Sequence, residues 1–170
     1  MSTFEIRRVN AKGKGVFVTR PVRNGDRIHT LFGRRITLVQ SFAGIIAGLI
    51  RLDDPLQIDI NKFFLLDYVS NCFNHSCDPN CAVVRESDLV ATRDIQAGEE
   101  LSYDYSLTVI PSFYSWAWRM KCACGASCCR VTIGNLSSVP RNKLEHALAA
   151  GLLQDYVVQY LRRLSNKTYD

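Results

Sequence analysis

Three cysteines crowd one short stretch, Cys122-x-Cys124-x4-Cys129, and they constrain the fold more than any other feature of the chain. Thiolates this close together can share a metal ion, and structural zinc takes four ligands in a tetrahedron. The stretch supplies three, so the fourth must come from elsewhere in the sequence, and the loop must dock on whatever carries it. Cys128 offers a second register, but the four-residue spacer favours Cys129. The competing reading is a set of buried free cysteines, which pack as small apolar side chains. Seven cysteines in a chain with no export signal point to reduced thiols, some on metal, rather than to a disulfide framework. Cys72 and Cys81 then read as core.

With 170 residues, 47% of them apolar, one domain with a real core is expected. The net charge of +5 is unevenly spread. Residues 1–35 hold nine Lys/Arg against Glu5 and Asp26, and residues 53–104 hold eleven Asp/Glu against Lys62, Arg85 and Arg93. Aromatics are not interleaved with the basic run, which argues against direct nucleic-acid binding and for a solvated face. The acidic middle is suited to steering a basic peptide. Residues 1–20 lack the apolar segment of a signal peptide. The stretch from Ile36 to Ile50 contains Gln40 and Ser41 and is shorter than the ~20 residues a membrane span needs. The expectation is a cytoplasmic, intracellular protein without membrane association, with nuclear or host-targeted placement left open. The sequons at Asn74, Asn135 and Asn166 are then chance matches. Nothing in the sequence sets the oligomeric state.

Periodicity divides the chain in two. The first part reads as short strands: Gly15–Thr19 and Asp26–Leu31 around an Asn24-Gly25 hairpin signal, Leu56–Ile60 and Phe63–Leu66 around Asn61-Lys62, then a hairpin of Cys81–Val84 and Leu89–Thr92, and a strand at Leu101–Tyr103 after Gly98. One buried helix interrupts them, from Leu38 to Ile50, with Leu38, Phe42, Ile45, Ile46 and Leu49 at helical spacing. The end of the chain predicts a helical pair. Pro140–Ala150 closes at Gly151, and Leu153, Tyr156, Val157, Tyr160, Leu161 and Leu164 mark one face of a second helix. The fold class is therefore mostly β, with few helices.

Four motifs follow one another: Lys12-Gly13-Lys14-Gly15-Val16-Phe17, Asn74-His75-Ser76-Cys77-Asp78-Pro79-Asn80, Gly98-Glu99-Glu100-Leu101-Ser102-Tyr103-Asp104-Tyr105, and the cysteine set. Taken alone, the first is a turn, Asn74-His75 is a pair of packed polar residues, and the tyrosines are strand core. Cys72 or Cys77 with His75 also makes a formal nucleophile–base pair, but no cysteine-hydrolase signature surrounds it. In this order the motifs resemble the SET domain, the fold of protein lysine methyltransferases, over roughly residues 4–134. The compact chain is similar to bacterial stand-alone SET proteins.

The resemblance implies small curled sheets with a pseudoknot, and S-adenosylmethionine as cofactor. It places the cofactor on the backbone of Lys14 and Gly15 and on Asn74 and His75. It makes Tyr105 the catalytic tyrosine and Tyr103 the position, Tyr or Phe across the family, that tunes how many methyls are added. It resembles the post-SET motif in the cysteines and makes Cys77 the fourth ligand of a structural Zn2+ beside Cys122, Cys124 and Cys129. Where the family often shows Glu-Tyr-x-Gly-Glu, this chain has Thr30-Leu31-Phe32-Gly33-Arg34. Where an arginine often precedes the Asn-His pair by three residues, it has Asn71. Trp116 and Trp118 are the candidates to cover the adenine. The implied division is a SET domain at 1–110, a post-SET zinc-binding segment at 111–134, and a C-terminal helical extension at 135–170 packed on the same domain.

The implied activity is S-adenosylmethionine-dependent protein-lysine N-methylation favouring monomethylation, on a protein carrying a target lysine, such as a histone-like or other basic protein. The rivals are methylation of a small-molecule amine and a catalytically silent, zinc-stabilised interaction module.

Overall fold

The computed structural model describes residues 3–9, 13–51, 54–112, 115 and 118–167. Four small sheets carry the fold, and the late-arriving strand is the one that builds the site. Strands β1 (Phe4–Val9) and β2 (Gly13–Val18) form an antiparallel ribbon in the register Phe4↔Val18 to Val9↔Gly13. Val16 and Val18 point into the core. The other edge of β2 takes a strand from far along the chain, with Glu100 opposite Phe17 and Leu101 opposite Val16. A two-residue strand, Asn74–His75, then lies parallel to Ser102-Tyr103. Counting in chain order, β3 is Arg27–Thr30, β4 Gly33–Thr37, β5 Pro55–Asp59, β6 Lys62–Leu66, β7 Asn74–His75, β8 Cys81–Val84, β9 Asp88–Ala91 and β10 Glu100–Tyr103. The first sheet thus has the order β1-β2-β10-β7. A strand from the second half of the chain lies between two from the first half.

The second sheet is β3-β9-β8 and the third β4-β6-β5. The fourth pairs β11 (Met120–Lys121) with β12 (Thr132–Ile133) and closes the base of the cysteine loop. Val16, Val18, Leu31, Phe73, Leu89, Ile95 and Leu101 form the centre of the main core.

Two expectations are corrected. Asn24-Gly25 does turn the chain, with Gly25 at φ +85°, but it does not join a hairpin. The Gly25 N–H donates to the Ala91 carbonyl at 2.9 Å, and β3 pairs with β9 instead of β2. The β2 edge is occupied by β1 and β10, so β3 has no place there. The helix α1 is shorter than expected, Leu38–Ile46, and it is not buried. A Thr37/Gln40 capping box starts it, and Gly48 at φ +68° ends it before Leu49. Ile46 is 71% exposed and Leu49 83%, while the buried residue of the helix is Ser41. The apolar period was real, but the face it marks lies largely outside the core. Gly44 is needed because a Cβ there would come within 2.4 Å of the Ile50 side chain, which folds back over it.

The two C-terminal helices are α2 (Arg141–Ala149) and α3 (Asp155–Lys167). They form a second core of Leu153, Tyr156 and Val157 with Ile110 and Leu136 from the main body. Gln154, fully buried, donates to the carbonyls of Gln57 at 3.1 Å and Glu86 at 2.5 Å, so the pair is pinned to two sheets by one side chain. Among the described residues no helix is long and apolar enough to cross a membrane.

His29 gives the fold an acid-sensitive point. It stacks on Phe73 with ring centroids 5.5 Å apart and meets Phe4 edge-on at 5.6 Å. Burial lowers its pKa below the ordinary 6.5, against the opposing pull of Asp67. The folded state therefore holds fewer protons than the unfolded chain below pH 6.5. The contribution to stability is present above that pH and is lost as pH falls through the lowered folded value. His29→Phe should flatten the fall of Tm as pH drops below about 6.5. A variant whose acid sensitivity matches the native protein would show that another group governs it.

Candidate functional site

The parallel pairing of β7 with β10 sets Asn74 beside Ser102 and His75 beside Tyr103, and the rest of the site is built around that pair. Asn80 supports it from behind, its Nδ2 donating to the Glu100 carbonyl at 2.8 Å and its Oδ1 accepting from the Ser102 N–H at 3.0 Å.

The Asn74 amide is held in one orientation. Its Nδ2 donates to the Lys14 carbonyl at 2.8 Å and to Glu100 Oε1 at 2.6 Å. With the nitrogen committed, what Asn74 offers a ligand it offers through Oδ1. Gly15 is required for this arrangement. A Cβ there would stand 2.6 Å from Glu100 Oε1, 2.9 Å from Val9 and 3.1 Å from Asn74 Nδ2. The glycine thus makes room for the residues that aim Asn74. The Lys14 ammonium hydrogen-bonds to the Tyr68 hydroxyl at 2.9 Å on the same rim.

His75 links the two halves of the site. Its Nδ1 accepts the Tyr105 backbone N–H at 3.2 Å, so Nε2 carries the ring proton and donates to Cys77 Sγ at 3.3 Å. Tyr105 opens a 3-10 turn, Tyr105–Thr108, capped by Asp104, whose Oδ1 accepts from the Ser106 N–H at 3.0 Å. The Tyr105 hydroxyl donates to the Phe73 carbonyl at 2.7 Å. Tyr103 and Tyr105 lie with ring centroids 4.8 Å apart, and His75 meets Tyr105 edge-on at 5.4 Å. The result is a cluster of three rings with one phenolic oxygen fixed in place.

Behind it, the Sγ atoms of Cys77, Cys122, Cys124 and Cys129 all lie within 4.8 Å of one another. Cys77 and Cys122 are 3.8 Å apart, about the edge of a tetrahedron with metal–sulfur bonds near 2.3 Å. The donor set is that of a four-thiolate zinc site. Cys128 is exposed and stays out of the cluster, where Cys129 stands instead. Burial and shared thiol protons push Cys122 well above the ordinary thiol range. Burial also opposes ionisation of Cys124, but backbone donors from Cys77 and Ala126 and the neighbouring thiols outweigh it and bring that thiol down to about 6. Four crowded thiols cannot all ionise unless a cation shares the charge. Cys81, by contrast, is pushed up to about 12 by burial and belongs to the core, as does Cys72.

Four residues that matter here were given no individual role by the sequence: Asn80, Glu100 and Asp104, which lie within the motifs, and Arg130, which directly follows the cysteine set. Arg130 donates to Cys77 Sγ from both its backbone N–H, at 3.3 Å, and Nε, at 3.4 Å, and its Nη2 reaches Asp104 Oδ1 at 2.6 Å. The available signal was an acidic residue flanked by two aromatics in a strand that reads as core; a charge there needs a buried partner. Trp118 lines an apolar cavity of about 230 Å³ with Leu38, Phe42, Phe63 and Val109, and Trp116 lies outside the described residues.

Comparison with known proteins matches this geometry to a family. The model of the SET domain matches residues 13–106. The chain is 28% identical over 152 residues to the histone-lysine N-methyltransferase ATX2 of Arabidopsis thaliana, covering 79% of this chain and 13% of that protein. It is 32% identical over 143 residues to the histone-lysine N-methyltransferase ash1 of Drosophila melanogaster, covering 74% of this chain and 6% of the relative. The chain therefore spans only a small fraction of the curated relatives it matches. Among solved structures, the methyltransferase domain of human SETMAR superposes with a TM-score of 0.62 at 21% identity, over 78% of this chain and 58% of that one. The motifs on β2, β7 and β10, the sheet order that joins them and the matched span together place this chain in the SET-domain family.

Proposed function

We propose that this chain is an S-adenosylmethionine-dependent protein-lysine N-methyltransferase with a structural zinc ion on Cys77, Cys122, Cys124 and Cys129. The observation that carries this reading is the fixed Tyr105 hydroxyl, on a ring packed against Tyr103 and His75 and beside the aimed Asn74. When bound, S-adenosylmethionine supplies an electrophilic methyl on a sulfonium sulfur. Lys14, Gly15, Asn74 and His75 would hold it, with Asn74 contributing an acceptor and the β2 backbone lying alongside.

The chain's own residues account for the rest. A lysine amine is charged in water, with a pKa near 10.4, and must lose its proton to attack. The walls made by Tyr103, Tyr105 and His75 disfavour the ammonium by desolvation, as a neighbouring sulfonium also would. Because the Tyr105 proton is given to the Phe73 carbonyl, its oxygen can only accept. It is thus suited to receive an amine N–H and turn the nitrogen lone pair toward the methyl. The acceptor is a lysine on a basic protein, matching the acidic residues 53–104. The relatives in Arabidopsis and Drosophila, histone-lysine N-methyltransferases, support that class.

The direct test is incubation with methyl-labelled S-adenosylmethionine and a mixture of basic proteins, with label located by mass spectrometry. Label on lysine side chains is the expected result. Label only on small amines, or cofactor binding without transfer to any acceptor, would overturn the proposal in favour of the small-molecule or silent-module reading.

Monomethyl-lysine is the expected main product. Tyr103 is 4% exposed and packs on Tyr105, so its hydroxyl, or a water on it, takes up space that a methylated amine needs in order to turn into line. Tyr103→Phe should move the product toward di- or trimethyl-lysine while total turnover changes less than about threefold. Intact-mass time courses on one acceptor check this. Native enzyme running straight to trimethyl-lysine would reject the assignment.

A further inference from the structure

We propose that Arg130 is a positioning residue that makes docking of the cysteine loop and the setting of Tyr105 a single event. Its catalytic consequence rests on the methyltransferase reading above; its structural consequence does not. The observation is a closed circuit of hydrogen bonds. Cys77 Sγ accepts from His75 Nε2 and from two Arg130 donors. Arg130 reaches Asp104. Asp104 caps the turn that Tyr105 opens, and the Tyr105 N–H returns to His75 Nδ1. Asp104 Oδ1 also lies 3.6 Å from His75 Nδ1.

Of these residues only Arg130 belongs to the cysteine loop; the others belong to the main body. Side-chain exposure is 11% for Arg130 and 4% for Asp104, so neither charge has water to fall back on. If the loop leaves, a buried carboxylate loses its cation, and such a loss is costly. The cap of the Tyr105 turn is made by that same carboxylate oxygen. Loop docking and turn geometry are therefore joined through one atom, Asp104 Oδ1.

The guanidinium is what allows the join. Its rigid fork sends Nε to sulfur and Nη2 to the carboxylate at once, while Nη1 lies 3.5 Å from the Ser138 carbonyl. A lysine ammonium is a compact point charge on a flexible stem and cannot serve both ends with one geometry. Arg130→Lys thus separates the two functions, keeping charge near Asp104 but not the span.

The test is amide hydrogen exchange at Ser106 and Leu107, whose N–H groups bond to Asp104 Oδ1 and to the Asp104 carbonyl. In native zinc-loaded protein, chelator should speed exchange at these two amides by about tenfold or more. In Arg130→Lys, zinc should stay bound by elemental analysis, the two amides should already exchange about tenfold faster, and chelator should add little. With a methylatable peptide, the variant's kcat should fall by about tenfold with KM within about twofold of native. Asp104→Asn, which keeps a side-chain acceptor for Ser106 but removes the charge pair, should show the same fast and chelator-insensitive exchange. Native amides indifferent to chelator, an Arg130→Lys variant with zinc and native protection, or one that has lost its zinc would each overturn the proposal, the last because Arg130 would then merely support the sulfur cluster. Native protein that transfers no methyl would defeat the function proposed above and leave the exchange result standing.

Discussion

Replacing Tyr105 with Phe is expected to leave the chain folded, zinc content unchanged, and turnover lower by about 10²-fold or more. The ring can stay, since its contacts with Tyr103 and His75 do not involve the hydroxyl. Two things go. The Phe73 carbonyl loses its donor, which costs on the order of 1 kcal/mol. More important, on the proposed mechanism the site loses the oxygen that would accept the amine N–H and turn the lone pair. That interaction matters most as the nitrogen attacks, so the loss should fall on kcat with little change in peptide KM. Single-turnover rates with labelled cofactor measure it directly. A fully active Tyr105→Phe would remove the catalytic assignment.

The second large effect is expected at Cys77. Cys77→Ser should reduce zinc from about one ion per chain to nearly none, because three thiolates on one loop leave the tetrahedron a ligand short and Cys77 is the thiolate that the main body contributes. Cys77 is fully buried and receives hydrogen bonds from His75 and Arg130; a serine hydroxyl is a poorer, harder ligand. The damage should be local. Strands β11 and β12 are two residues each and are bridged by the cysteine loop, so limited proteolysis should cut between residues 119 and 134 while the β8–β9 hairpin stays protected. Cys81→Ser is the control, since it removes a buried thiol but no ligand and should keep the zinc. Equal zinc in both variants would refute the ligand set.

How far the sequence spoke for the molecule depended on how local each signal was. The β8–β9 hairpin and the helical pair were legible because their partners are neighbours in the chain and their caps lie beside them. β7, β11 and β12 were not, because two-residue strands have no period to detect; they exist only through their partners. The motifs singled out Asn74, His75, Tyr105 and the cysteines, which the fold brings close together. They did not reveal Glu100, whose task is to aim Asn74, because a second acid in a polar turn has no distinguishing mark. The role of Gly15 was visible only in three dimensions: the space it leaves is filled by Glu100, Val9 and Asn74. Helix α1 misled because helical spacing of apolar residues shows that a face exists, not that the main core covers it.

The wedging of β10 between β2 and β7 also sets an order of assembly. The β1–β2 ribbon can close as soon as it is made, yet its second edge must wait, unpaired, until Glu100 and Leu101 appear far downstream. Lys14 and Asn74, 60 residues apart, are hydrogen-bonded directly, and Glu100, later than either, accepts from the same Asn74 amide. Contacts so remote in sequence are slow to form, because the closure entropy of the intervening chain is spent before they give anything back. At synthesis rates of about 5–20 residues per second, the nascent chain spends seconds with an open sheet edge before the part that completes it exists. Tyr105 arrives directly behind that closing strand, so until β10 is made the nascent chain has neither a finished β2 edge nor the tyrosine that is to stand beside His75.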